Sequence, residues 1–87
     1  MNGQIEKAKK AFNKADGYAL NGQYDKAIEH YKKALEINIK ELGENDPSVA
    51  GIYNSLGLAY YSKGERENAD ACFQKAKSID EHNNIIT

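Results

Sequence analysis

Eighty-seven residues make one domain at most, with a core that is small beside its surface. Twelve basic and thirteen acidic side chains, interleaved for a net charge of −1, give no electrostatic reason to expect nucleic acid or an anionic membrane as partner. Cys72 is the sole cysteine, which excludes an internal disulfide and a cysteine-based zinc site, and no apolar run approaches the ~20 residues that a transmembrane helix needs. The opening Met1-Asn2-Gly3-Gln4 shows no basic segment followed by an apolar stretch, so no signal peptide is expected and cytoplasmic residence is the default.

From Gln4 to Asn21, the apolar residues Ile5, Ala8, Ala11, Phe12, Ala15 and Ala19 recur at three- and four-residue steps, which predicts a first helix. Gly22 stops it, because glycine tolerates the left-handed conformation that closes helix ends. A second helix is predicted from Tyr24 to Leu42, with its stripe through Ala27, Ile28, Tyr31, Ala34, Leu35, Ile37 and Asn38, and with Gly43 as terminator. Asp46-Pro47 opens the next helix, aspartate as N-cap and proline in the first turn. That third helix, Pro47 to Lys63, carries Val49, Ala50, Tyr53, Leu56, Gly57 and Tyr60 before Gly64. The fourth is predicted from Arg66 to Asp80 through Ala69, Phe73, Ala76 and Ile79. No stretch alternates with period two, so the class is all-α.

The chain also repeats itself. A shift of 42 positions lays Ala8 on Ala50, Tyr18 on Tyr60, Gly22 on Gly64, Ala27 on Ala69, Lys33 on Lys75, Ala34 on Ala76 and Ile37 on Ile79, while Tyr31 meets Phe73. Two copies of one helical hairpin are therefore expected: a first unit over about residues 5–42, a linker at 43–46, a second unit over about 47–80 and a tail at 81–87. The small residues fall where antiparallel helices must approach, and Tyr18, Tyr31, Tyr60 and Phe73 fall where gaps need filling. A single hairpin cannot bury its apolar face, so the two must stack into a short α-solenoid.

This pattern resembles the tetratricopeptide repeat, whose template runs W-x₂-L-G-x₂-Y and then A-x₃-F. The second unit matches it with Tyr53, Leu56, Gly57 and Tyr60, then Ala69, Phe73 and Ala76. The first is looser: Ala11, Lys14, Ala15 and Tyr18, then Ala27, Tyr31 and Ala34. Lys14 departs from the usual leucine, as befits an open end of the stack, and the late proline is absent from both units. The repeat length of 42 exceeds the usual ~34, and the long second helix with Leu42-Gly43 ahead of Pro47 resembles the kinesin light chain class of these repeats.

The resemblance implies a protein–protein interaction module that holds a peptide or protein segment in a concave groove lined by the first helix of each unit. Placed by position, the groove residues are Lys9, Phe12, Asn13, Asp16 and Leu20 from the first unit, with Asn54, Ser55, Leu58, Tyr61 and Ser62 from the second. Asn54 offers donor and acceptor together for a peptide backbone, and Phe12, Leu58 and Tyr61 are expected to share one apolar pocket. Chaperone-binding repeats of this type grip a C-terminal carboxylate with lysine and asparagines. Phe12, Asp16 and Ser55 stand at such sites here, and an aspartate repels the carboxylate in question, so that ligand is disfavoured. A second expectation is self-assembly into a homodimer or oligomer through open repeat ends, by hairpin exchange across the linker, since two repeats fall below the three usually needed for a stable stack.

No catalytic set, cofactor site or metal site is read from the sequence. His30 and Cys72 occupy equivalent positions in their units, which separates them too far for a nucleophile–base pair. His82 lies beside Asp80 and Glu81 in the polar tail without further ligands to converge on a metal. The glycines show no phosphate-loop spacing.

Overall fold

Two turns of the chain are built alike. At Gly22 and Gly64 the backbone takes φ 77° and 94°, a left-handed conformation that glycine enters without steric cost. There Gln23 N donates to Tyr18 O at 2.8 Å and Glu65 N to Tyr60 O at 2.9 Å, the same six-to-one closure in both turns. The computed structural model describes residues 3–86, with side chains through residue 84. Its helices are α1 (Gly3–Leu20), α2 (Tyr24–Leu42), α3 (Pro47–Lys63) and α4 (Arg66–Ile86), and no strand occurs among the described residues.

The start of α3 follows from its first residues. Asp46 has an extended backbone, and its carboxylate accepts from Ser48 N at 3.0 Å and Ser48 Oγ at 2.6 Å, with Pro47 in the first turn. Lys63, at the far end of α3, lies 2.7 Å from Asp25 of α2 and 2.6 Å from Glu65 in the turn. The hydrogen bonds from Lys63 and then Asn68 hold the Glu65 carboxyl below the usual carboxylate range. This cluster is solvent-exposed, so it fixes geometry more than it adds stability.

α4 runs further than its apolar periodicity. The stripe ends at Ile79, yet the helix continues to Ile86, taking in most of the stretch expected to be tail. Asn83 explains the extension: its Nδ2 donates to Ile79 O one turn back at 3.0 Å and to Asn45 O in the linker at 2.9 Å. The side chains of Ile85 and Ile86 and all of Thr87 lie outside the described residues.

Packing within each hairpin depends on side chains that are nearly absent. Ala8, Ala15, Ala27, Ala34, Ala69 and Ala76 are all buried, which lets the helix axes close up. At Gly57 the approach is tightest, since a Cβ there would stand 2.6 Å from Cε1 of Phe73. The equivalent pair in the first hairpin is Ala15 and Tyr31, both buried. α2 packs on α1 and on α3, and α3 packs in turn on α4, so the helices zigzag through a slab of 37 × 31 × 15 Å. One core joins α1, α2 and α3 through Ala11, Ile28, Tyr31, Ile52 and Leu56 and reaches Cys72, whereas a smaller one joins Val49 and Ala50 to Ala76 and Ile79.

Two glycines should therefore respond to alanine with opposite signs. Gly17→Ala places a methyl where nothing lies within 4 Å and should stabilise the fold by roughly 0.5–1 kcal/mol. Gly57→Ala gains the same propensity but drives Phe73 aside, for a net loss of about 1 kcal/mol. Urea unfolding of both variants checks the contrast, and adding Phe73→Leu to Gly57→Ala should recover part of the loss.

Candidate binding groove

α2 packs against both α1 and α3, and residues of all three helices line an open groove. Two cavities open along it. The first, about 480 Å³, is lined by Ile5, Ala8, Lys9, Phe12 and Asn13 of α1, by Asn38 and Leu42 of α2, and by Ser48, Gly51 and Ile52 of α3. The second, about 430 Å³, is lined by Asp16, Ala19 and Leu20, by Tyr24 and Tyr31, and by Ser55, Leu58, Ala59 and Ser62. Phe12 lines the first cavity and Tyr31 the second, and their rings meet edge to face with centroids 5.3 Å apart. That aromatic pair divides the groove.

The groove residues placed by sequence position thus separate into two sets. Lys9, Phe12 and Asn13 border the first cavity, while Asp16, Leu20, Ser55, Leu58 and Ser62 border the second. Asn54 and Tyr61 line neither: Asn54 is exposed, and the ring of Tyr61 lies under the guanidinium of Arg66 at 5.7 Å. The shared pocket expected for Phe12, Leu58 and Tyr61 does not form. Phe12 turns toward Tyr31, and Tyr61 sits beyond the second cavity, paired with a cation.

Asp16 is engaged rather than free. The hydroxyl of Tyr31 donates to its carboxylate across the α1–α2 contact. Burial first, and then this hydrogen bond, push the Tyr31 phenol well above its ordinary value of 10.0. In the second unit the equivalent residues are Leu58 and Phe73, so the polar pair of the first unit becomes an apolar pair one repeat on. Leu58 is 60% exposed and Leu20 is 88% exposed, and both border the same cavity.

Asn38 was part of the apolar stripe of α2 and was not among the expected groove residues. It is 9% exposed, its Nδ2 donates to Ser48 Oγ at 3.1 Å, and its Oδ1 is buried without a hydrogen-bond partner. A polar residue inside an otherwise apolar stripe was the signal in the sequence. Elsewhere, His30 Nδ1 lies 2.9 Å from Lys26 O with its ring against Tyr18, and burial pushes the Cys72 thiol up. Neither lines the groove. Among the described residues no helix is long and apolar enough to cross a membrane.

The model of the family described as tetratricopeptide repeat matches residues 6–82 of the chain. The chain belongs to the tetratricopeptide repeat family. Small glutamine-rich tetratricopeptide repeat-containing protein 2 of Mycosarcoma maydis is 31% identical across 85% of this chain and 19% of its own length. Photosystem I assembly protein Ycf3 of Prochlorococcus marinus is 34% identical across 86% of this chain and 43% of its own. Anaphase-promoting complex subunit 3 of Schizosaccharomyces pombe is 25% identical across 79% of this chain and 9% of its own. The chain thus spans less than half the length of each of these relatives.

The Tyr31–Asp16 contact gives the groove wall a pH signature. The fold holds the phenol above 10.0, so its contribution is complete below that pH and is lost as pH rises beyond it. Tyr31→Phe should cost about 2 kcal/mol at neutral pH, because the half-buried carboxylate loses its donor. The difference in stability between wild type and variant, measured by urea unfolding from pH 8 to 11.5, should shrink above pH ~10.

Proposed function

We propose that this chain is a protein-binding module that lays an extended segment of a partner polypeptide along the α1–α3 groove and carries out no chemistry on it. One observation carries the reading: Leu20 of α1 and Leu58 of α3, two of the most exposed large apolar side chains among the described residues, both line the second cavity. An apolar cleft with polar groups at its edge, here Asp16, Ser55 and Ser62, is the ordinary form of a recognition site. The names of relatives support a protein partner, since one is an assembly protein and another a subunit of a complex.

Assembly through open repeat ends is not the reading advanced. Among the described residues, the exposed large apolar side chains lie on α1, α2 and α3, while the outward residues of α4 through residue 84 include Glu67, Asp70, Gln74, Lys77 and Glu81. Over those residues the helix presents a polar face.

Selection of displayed peptides on the chain tests the groove. Bound sequences should carry an apolar residue for the Leu20–Leu58 cleft. Leu58→Asp should weaken them at least about tenfold while changing stability by no more than about 0.5 kcal/mol, since the residue is exposed. Retention of full affinity by that variant places the binding surface elsewhere. Light scattering across a concentration series should give the monomer mass throughout.

A further inference from the structure

Each cavity of the groove is lined by a single charged residue, Lys9 in the first and Asp16 in the second. Asp16 is the more constrained of the two. Its Oδ1 accepts from the hydroxyl of Tyr31, which lines the same cavity and holds the carboxylate there. Its Oδ2 has no hydrogen-bond partner among the described residues, and no lysine or arginine of theirs pairs with it; Lys63 of α3 is taken up by Asp25 and Glu65. Among those residues the sole buried side-chain oxygen or nitrogen without a partner is Asn38 Oδ1, so Oδ2 of half-buried Asp16 is reachable from outside. A carboxylate partly withdrawn from water favours a counter-charge, and the rest of this lining is neutral and largely apolar, with Leu20, Tyr24 and Leu58 its large members beside Tyr31.

We propose that the bound polypeptide carries an arginine two positions from its apolar anchor, and that the guanidinium pairs with Asp16 in the second cavity. A long side chain with an apolar stem and a cationic head matches a lining that is apolar but for one carboxylate. Arginine suits the place better than lysine because its guanidinium gives up water more readily and packs on aromatic rings such as that of Tyr24. Oδ1 keeps a second lone pair beside its bond to Tyr31, so both carboxylate oxygens accept from one guanidinium fork. The spacing follows from α1. Asp16 and Leu20 are four residues apart, which puts them on one face of the helix and about 6 Å apart along its axis. In an extended segment, side chains that point the same way recur every second residue, about 7 Å. Lys9 stands about 10 Å from Asp16 along the same helix and repels an arginine from the first cavity. The inference rests on the groove reading and adds to it the identity of a second side chain and the residue that selects it.

The test uses the whole chain and two peptides, acetyl-Ala-Leu-Ala-Arg-Ala-amide and acetyl-Ala-Arg-Ala-Leu-Ala-amide, so that either chain direction is offered. Each is compared with the form that has citrulline for arginine, which keeps the shape and loses the charge, and with the form that has alanine for leucine. Titrations at low salt followed by two-dimensional amide NMR should move the signals of Asp16, Ala19, Leu20, Ser55 and Leu58. In at least one direction the arginine peptide should bind about tenfold tighter than its citrulline form. Asp16→Asn, which keeps an acceptor for Tyr31, should erase that preference and leave binding of the citrulline form unchanged. Equal binding of arginine and citrulline forms to the wild type overturns the proposal, and this comparison needs no variant to fold. An arginine preference that survives Asp16→Asn overturns it as well, because the charge is then read elsewhere. Peptides that bind through their leucine with no arginine preference would retain the groove and remove the Asp16 site, whereas failure of every peptide to move these signals would remove both.

Discussion

Everything in this molecule depends on how closely the two helices of a hairpin approach. At Gly57 the space that a methyl would take belongs to the ring of Phe73, and in the first hairpin Ala15 and Tyr31 make the same exchange of small for large. Because each hairpin closes this tightly, its apolar surface concentrates on the side that meets the next one. α2 then serves two masters, packing on α1 and on α3, and the core gathers around it. The groove is what remains: α1 and α3 are each held by α2 and are kept from closing on one another. The groove thus arises from the packing rule itself.

The two copies of the unit use that frame differently. Where the first carries Asp16 and Tyr31, the second carries Leu58 and Phe73, and the carboxylate and the hydroxyl are absent together. Each pairing is self-consistent, since a half-buried carboxylate needs a donor and a leucine needs none. The second cavity therefore carries a carboxylate on its α1 side and a leucine at the equivalent position on its α3 side.

How much of this was legible in the sequence follows from the range of each interaction. The ends of α2 and α3 were readable because Gly43, Asp46, Pro47 and Gly64 act on their own neighbours, through a cap or a turn a few residues away. The end of α4 was not, because beyond Ile79 no apolar periodicity remains and the helix is tied down by Asn83 reaching to Asn45 O, distant in sequence. The groove residues divide in the same way. Their helix face was legible from spacing, but which of them share a cavity depends on the angle between α1 and α3, which no local pattern encodes. Phe12 and Tyr61 were therefore placed in one pocket and are found apart. Asn38 stood in plain view as the one polar residue of its stripe, and only the hydrogen bonds of Ser48 and Asp46 reveal why it matters.

Those bonds join the groove to the hinge between the units. From the back of the first cavity the chain runs Asn38 to Ser48 to Asp46, and Asp46 is the residue that caps α3. Each member polarises the next, so Ser48, accepting from Asn38 Nδ2, is the stronger donor to the capping carboxylate. The unpaired acceptor is a debt in the empty molecule, since an apolar residue of similar shape at position 38 would carry no such cost.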